Sequence, residues 1–219
     1  MMRHRFSPSF SPTDPDRAEG LDLPALIAAR ICHDLISPLG AIGNGVELLQ
    51  MAPSPSAGPE IDLVRESVQQ AQARIRLFRV AFGSFRPDQM IGTDELGGLL
   101  RDYAATARFD LTWTPVVSKP KATVRLALLS LLCIETALPY GGRVVVTRDE
   151  TALHITARSD KPKIDPAYWD ALIGAADWPH DLQAARVQFP VLQRAVAEQG
   201  MSLELRLAED GLDLRITAA

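Results

Sequence analysis

The chain has few of the residues that staple or metallate small folds. It carries two cysteines, Cys32 and Cys133, both inside apolar helical patterns. That excludes a disulfide framework and a cysteine-ligated metal, and both thiols are expected to be buried and reduced. No metal site is expected. Positive charge is scarce too: a net charge of −4 argues against nucleic acid as partner, because binding a phosphate backbone needs a positive face. Long apolar runs are missing; the longest, Leu126 to Pro139, is interrupted by Glu135 and too short to cross a bilayer. The leader, residues 1–20, has no apolar core of the kind a signal peptide needs, and its Pro, Ser and charge content predicts disorder. The expected setting is cytoplasmic, with no membrane contact. Against these absences, 47% hydrophobic and 23% charged residues describe an ordinary globular protein.

What is present is a strong helical period. Ala28, Cys32, Leu35, Leu39, Ile42, Val46 and Leu49 recur at spacings of four and three, the seam of a helix that packs on other helices. This helix is expected to start near Leu23–Pro24, with Asp22 as N-cap, and to run to about Met51. Ala52–Pro59 reads as a proline-rich break. A second helix, Glu60 to about Arg86, repeats the seam at Ile61, Val64, Val68, Ala71, Ile75, Phe78, Phe82 and Phe85. Its arginines read as a solvated face; the alternative is that Arg74, Arg76 or Arg79 docks an acidic partner. Two amphipathic helices cannot enclose a core, so two such hairpins from two chains are expected to form a four-helix bundle in a homodimer; packing of the hairpin against the C-terminal domain is the alternative.

After a linker at Arg86–Gly92 the pattern changes. Helices are expected at Asp94–Thr106 (capped by Thr93), Pro120–Leu138, Ala167–Ile173 and Leu182–Gln199, the last bent or restarted near Pro190. Strands are expected at Phe109–Trp113, Arg143–Arg148, Leu153–Arg158, Ser202–Ala208 and Leu212–Thr217, the last two joined through Glu209–Asp210–Gly211. The fold class is α+β: a hairpin domain over 21–87, then an α/β sandwich over 93–219 with helices on one face of the sheet.

The chemistry lies in the first helix. His33 sits one residue past a seam position, about 100° further round the helix, on the bundle flank and open to solvent. Asp34 follows it and Pro38 comes five residues later. An imidazole can attack phosphorus only from a nitrogen whose partner nitrogen carries the proton, and Asp34 is placed to orient the ring or take its proton. His33, Ser37, Gly40 and Asn44 share one helical face. Gly40 and Gly43 keep that surface low, and with Gly45 they make three helix-interior glycines, each costing about 1 kcal/mol, which a purely structural helix has little reason to carry. Inside a sustained heptad and following no strand, this glycine run is not a nucleotide-binding loop.

The hairpin followed by an α/β sandwich resembles the catalytic core of sensor histidine kinases. More narrowly, His33-Asp34-Leu35-Ile36-Ser37-Pro38, continued by Gly40-Ala41-Ile42-Gly43-Asn44-Gly45-Val46-Glu47-Leu48-Leu49, resembles the ChpT family of alphaproteobacterial histidine phosphotransferases. That resemblance implies a phosphorelay intermediate in cell-cycle signalling, carrying a phosphoryl group on His33 between the receiver domains of a hybrid histidine kinase and of response regulators. Ser37, Pro38, Gly40 and Asn44 would dock the receivers, which would bring their own Mg²⁺.

The kinase motifs for nucleotide are absent. Leu132 and Thr136 stand where a kinase has two asparagines, and leucine cannot ligate a hard cation. Ala157–Pro162 has an aspartate but no glycine, and Arg186-Val187-Gln188-Phe189-Pro190 replaces a glycine-rich phosphate loop. The sandwich is therefore expected to be a degenerate ATP-binding domain, with no cofactor of its own. An ATP-dependent kinase of unusual motif and a dimeric receiver-binding scaffold are the alternatives.

Overall fold

The computed structural model describes residues 20–51, 58–149 and 151–218; the leader predicted for residues 1–20 falls outside them except for Gly20, as does most of the predicted break after Met51. Helix α1 spans Leu23–Met51 without interruption although Pro38 lies inside it. Asp22 caps it as expected, its Oδ1 accepting from the Ala25 N–H at 3.0 Å. Helix α2 spans Gly58–Ala81 and returns along α1. At their crossing Gly45 is buried, and a Cβ added there would lie 2.5 Å from Val64 Cγ2. The helix backbones meet where one of them has no side chain.

Helix α2 stops at Ala81 rather than near Arg86. The period continues through Phe82 and Phe85 because these rings pack on the next domain, with Lys121 and Arg125 stacked on Phe85. The predicted linker also holds a two-residue strand, β1 (Met90–Ile91). Helix α3 (Thr93–Thr106) follows, with Gly92 rather than Thr93 at its N-cap position and no side-chain cap. Then come β2 (Asp110–Thr114), β3 (Lys119–Pro120), which pairs antiparallel with β1, and α4 (Lys121–Ala137). The remaining elements are β4 (Arg143–Arg148), β5 (Ala152–Arg158), α5 (Pro166–Leu172), a 3₁₀ turn at Ala184–Arg186, α6 (Gln188–Glu198), β6 (Met201–Ala208) and β7 (Gly211–Ala218).

The main sheet has the order β2-β4-β5-β7-β6, with β2 parallel to β4 and every other pair antiparallel. Alternation gives it one apolar face: Val144, Val146, Leu153, Ile155, Leu203, Leu205, Leu212, Leu214 and Ile216 are buried. Helices α4 and α6 lie against it, and α4 is buried along nearly its whole length, so the apolar run at 126–139 is a core helix. Of the bend or restart expected near Pro190, the structure has the restart: the 3₁₀ turn ends at Arg186 and Pro190 sits in the first turn of α6, where its missing N–H breaks no helical bond.

The base of the hairpin is built into this core. Leu23, Leu77, Phe78, Val80 and Ala81 belong to the same buried cluster as α4 and the sheet. Of the α2 arginines, Arg65, Arg76 and Arg79 lie on an exposed face as expected, although Arg76 pairs there with Asp102 at 2.6 Å; Arg74 departs from it, half-buried and paired with Glu135 at 3.5 Å. Beyond this base the seam is half-buried at Leu35, Ile42, Leu49, Val64 and Val68, but part of it and its flanks are bare in the single chain. Ile36, Leu39, Val46, Leu48 and Met51 on α1, and Ile61, Leu63 and Ile75 on α2, are exposed. Cys32, expected to be buried, is exposed for the same reason, whereas Cys133 is buried and its burial pushes the thiol well up. Helix α1 is also long and apolar enough, by length and composition, to cross a bilayer. Its Arg30, His33 and Asp34, set within the helix, fit that poorly.

Candidate phosphoacceptor site

Helix α1 presents His33 with its side chain 81% exposed, while Asp34 beside it is only 11% exposed. His33 Nδ1–H donates to Asp34 Oδ1 at 3.2 Å; a carboxylate can only accept, so this contact requires the proton on Nδ1. Nε2 then keeps its lone pair and faces solvent, the state a nucleophilic imidazole needs. Asp34 turns inward because its other oxygen is held: Arg30 Nη2 lies 3.0 Å from Asp34 Oδ2, one helical turn back. Arg30 also donates through Nη1 to the Ala185 carbonyl, 2.7 Å away in the 3₁₀ turn of the sandwich.

Ser37, Gly40 and Asn44 are exposed and Pro38 half-buried, on the same helix and C-terminal to His33. A Cβ at Gly40 or Gly43 would meet nothing within 4 Å. Gly45 differs: it faces α2, so its absent side chain serves helix packing and not an outside partner. Pro38 has no N–H, which leaves the Asp34 carbonyl without its helical donor.

Below the histidine, where the hairpin meets the sandwich, is a cleft of about 390 Å³ lined by Arg30, Arg74, Arg108, Glu135, Lys163 and Arg186, among others. A larger hollow of about 650 Å³ lies by Tyr140, Gly142, Arg158 and Asp210, and no hairpin residue lines it; hollow size is therefore not what marks the site. Among the described residues no group of three or more His, Cys, Asp or Glu gathers to hold a metal. Sequence reasoning missed Arg30. The four-residue spacing from Arg30 to Asp34 was a signal for it, but nothing in the sequence pointed to Ala185.

Two comparisons place the chain. Residues 93–211 match the histidine phosphotransferase C-terminal domain family. The protein phosphotransferase ChpT of Brucella abortus (strain 2308) is 32% identical over 207 residues, 90% of this chain and 96% of that one. The chain belongs to the ChpT family. It is a phosphotransferase of the phosphorelay type, as the resemblance of the HDLISPLG segment implied. A solved bacterial phosphotransferase has the same fold, with a TM-score of 0.76 and 30% identity over 90% of this chain and 97% of that one. The overlap with histidine kinase ThkA in complex with response regulator TrrA is far looser, with a TM-score of 0.44 and 13% identity over 93% and 64% of the two chains. The contact from Arg30 to Ala185 joins the hairpin and the sandwich one helical turn from the histidine.

Proposed function

We propose that His33 is the phosphoacceptor and relays a phosphoryl group from the aspartyl phosphate of one receiver domain to the aspartate of another. The observation that carries this is the exposed Nε2 of a helical histidine whose Nδ1 is held by a nearly buried aspartate. In the first transfer the Nε2 lone pair forms the N–P bond as the P–O bond of the acyl phosphate breaks, and the donor carboxylate leaves with the electron pair. Asp34 stabilises the positive charge that develops on the ring. The second transfer reverses these bonds on another receiver. Mg²⁺, which neutralises the phosphoryl oxygens, comes from the receiver's acidic pocket. Receivers dock over Ser37, Pro38, Gly40 and Asn44, where exposed small residues let a partner backbone approach.

Two chains form a homodimer through the bare seams. The support is the exposed row of Ile36, Leu39, Val46, Ile61 and Ile75 along both helices, which a soluble monomer has reason to cover. The sandwich binds no nucleotide in this reading. Leu132 is sealed in the core, the Thr136 hydroxyl is used on the Cys133 carbonyl at 2.7 Å, and Phe189 fills the phosphate-loop position, packed edge-on against Trp169 at 5.1 Å. The relay works in the cytoplasm and in cell-cycle control, as in the family.

The test is incubation with a receiver carrying labelled phosphate. Label is expected to move to the wild-type chain and on to a second receiver, and to be absent from His33→Ala. Saturable ATP binding with labelling of His33 and no donor present would instead establish a kinase.

A further inference from the structure

The reading of His33 as phosphoacceptor leaves open why the sandwich is retained. Arg30 answers this. Its guanidinium bridges two acceptors, Asp34 Oδ2 on its own helix at 3.0 Å and the Ala185 carbonyl of the sandwich at 2.7 Å. Asp34 in turn holds His33 Nδ1 through its other oxygen at 3.2 Å. We propose that Arg30 is a positioning residue: it fixes the Asp34 carboxylate, and through it the tautomer and direction of His33, and it transmits the placement of the 184–186 turn of the sandwich to the phosphoacceptor.

An exposed arginine–aspartate pair one turn apart would contribute little. This pair is not of that kind, since the side chains are 13% and 11% exposed and the planar fork satisfies two acceptors at once. The surroundings also favour it. Arg30 shares the cleft with Arg74, Arg108, Lys163 and Arg186, and Glu135 is the one carboxylate lining it. Glu135 is already paired with Arg74 at 3.5 Å. Asp34 and the Ala185 carbonyl are the acceptors that hold Arg30 among these cations. Without Arg30, the Asp34 carboxylate loses the group that holds its Oδ2, and with it the fixed direction of its Oδ1 toward the ring. In this view the sandwich is the fixed wall against which the histidine is aligned.

The experiment uses the full chain, a phosphorylated receiver as donor, and ¹⁵N-histidine NMR, in which His33→Ala identifies the His33 ring. For Arg30→Ala, kcat of transfer is expected to fall about 10- to 100-fold, the range seen when a group that orients a reacting side chain is removed. KM for the receiver should stay within about twofold, as for a group acting on the transition state rather than on docking. The Nδ1–H tautomer of His33 should be lost. Arg30→Lys, which offers one ammonium to two acceptors, should recover part of the rate and of the tautomer signal. Thermal unfolding in parallel separates alignment from folding. Wild-type kcat with the tautomer intact in folded Arg30→Ala overturns the positioning role and leaves His33 standing. Label retained on His33→Ala overturns the phosphoacceptor reading itself.

Discussion

Three glycines within one turn and a half of helix serve two different purposes. Gly45 is required where α1 crosses α2, since a methyl there meets Val64 Cγ2 at 2.5 Å and a β-branched neighbour has little rotamer freedom to yield. Gly45→Ala is expected to destabilise the hairpin by about 1–3 kcal/mol, the usual cost of overpacking. Gly40→Ala has open space, so it should stabilise the helix by roughly 0.5–1 kcal/mol while weakening receiver engagement. Denaturant unfolding and the KM for a receiver, measured on both variants, check the pair: opposite signs in stability are expected, with a raised KM for Gly40→Ala. The shared placement of His33, Ser37, Gly40 and Asn44 was legible in the sequence because they lie on one helix, where spacing fixes geometry. The orientation of Gly45 was not, because it depends on which side α2 occupies. Nor was the Ala185 carbonyl, which the fold brings from 155 residues away.

At the level of elements, the segment from Gly174 to Val187 is mostly irregular, yet it is held down. Trp178 Nε1–H donates to Gln193 Oε1 at 3.2 Å, and Gln193 Nε2 donates to the Ala171 and Leu172 carbonyls at 2.8 and 3.0 Å. Gln193 is buried on α6 and clasps this segment to the end of α5. Gln193→Ala removes the partner of the indole N–H and of the Leu172 carbonyl, while the Ala171 carbonyl keeps the Gly174 N–H at 3.0 Å, so a loss of about 1–3 kcal/mol is expected, read by denaturant unfolding and by a red-shifted tryptophan emission. The sequence reading had the helix but not the clasp, since a glutamine on a helix usually faces water. The two-residue strands β1 and β3 were also beyond it: neither is long enough to show a period. The partners of Arg74 and Arg76 were out of reach for a related reason, because Glu135 and Asp102 belong to helices of the other domain.

For the whole molecule, a bare seam ties stability to concentration. If two chains cover each other's seams, the unfolding temperature should rise with protein concentration, and Cys32 should react slowly with a thiol reagent in concentrated protein and faster on dilution. Cys133, buried with its thiol pushed well up, should label only on unfolding. A concentration-independent midpoint with rapid Cys32 labelling throughout would rule the dimer out. The α+β plan and the order of the longer helices and strands were readable because each of these carried its own period. The exposure of the seam was not, since burial of an amphipathic face depends on what stands opposite it.

Among the described residues, the hairpin is fastened to the sandwich at its base. Leu23 and the last turn of α2 are anchored in the sandwich core, while Met51 at the far end of α1 is 79% exposed. A rise of 1.5 Å per residue puts that tip roughly 27 Å from His33. Tethers, dyes or extra turns added there would sit well away from the imidazole, so the tip is a natural place for sequence drift and for engineered fusions that leave phosphate traffic alone.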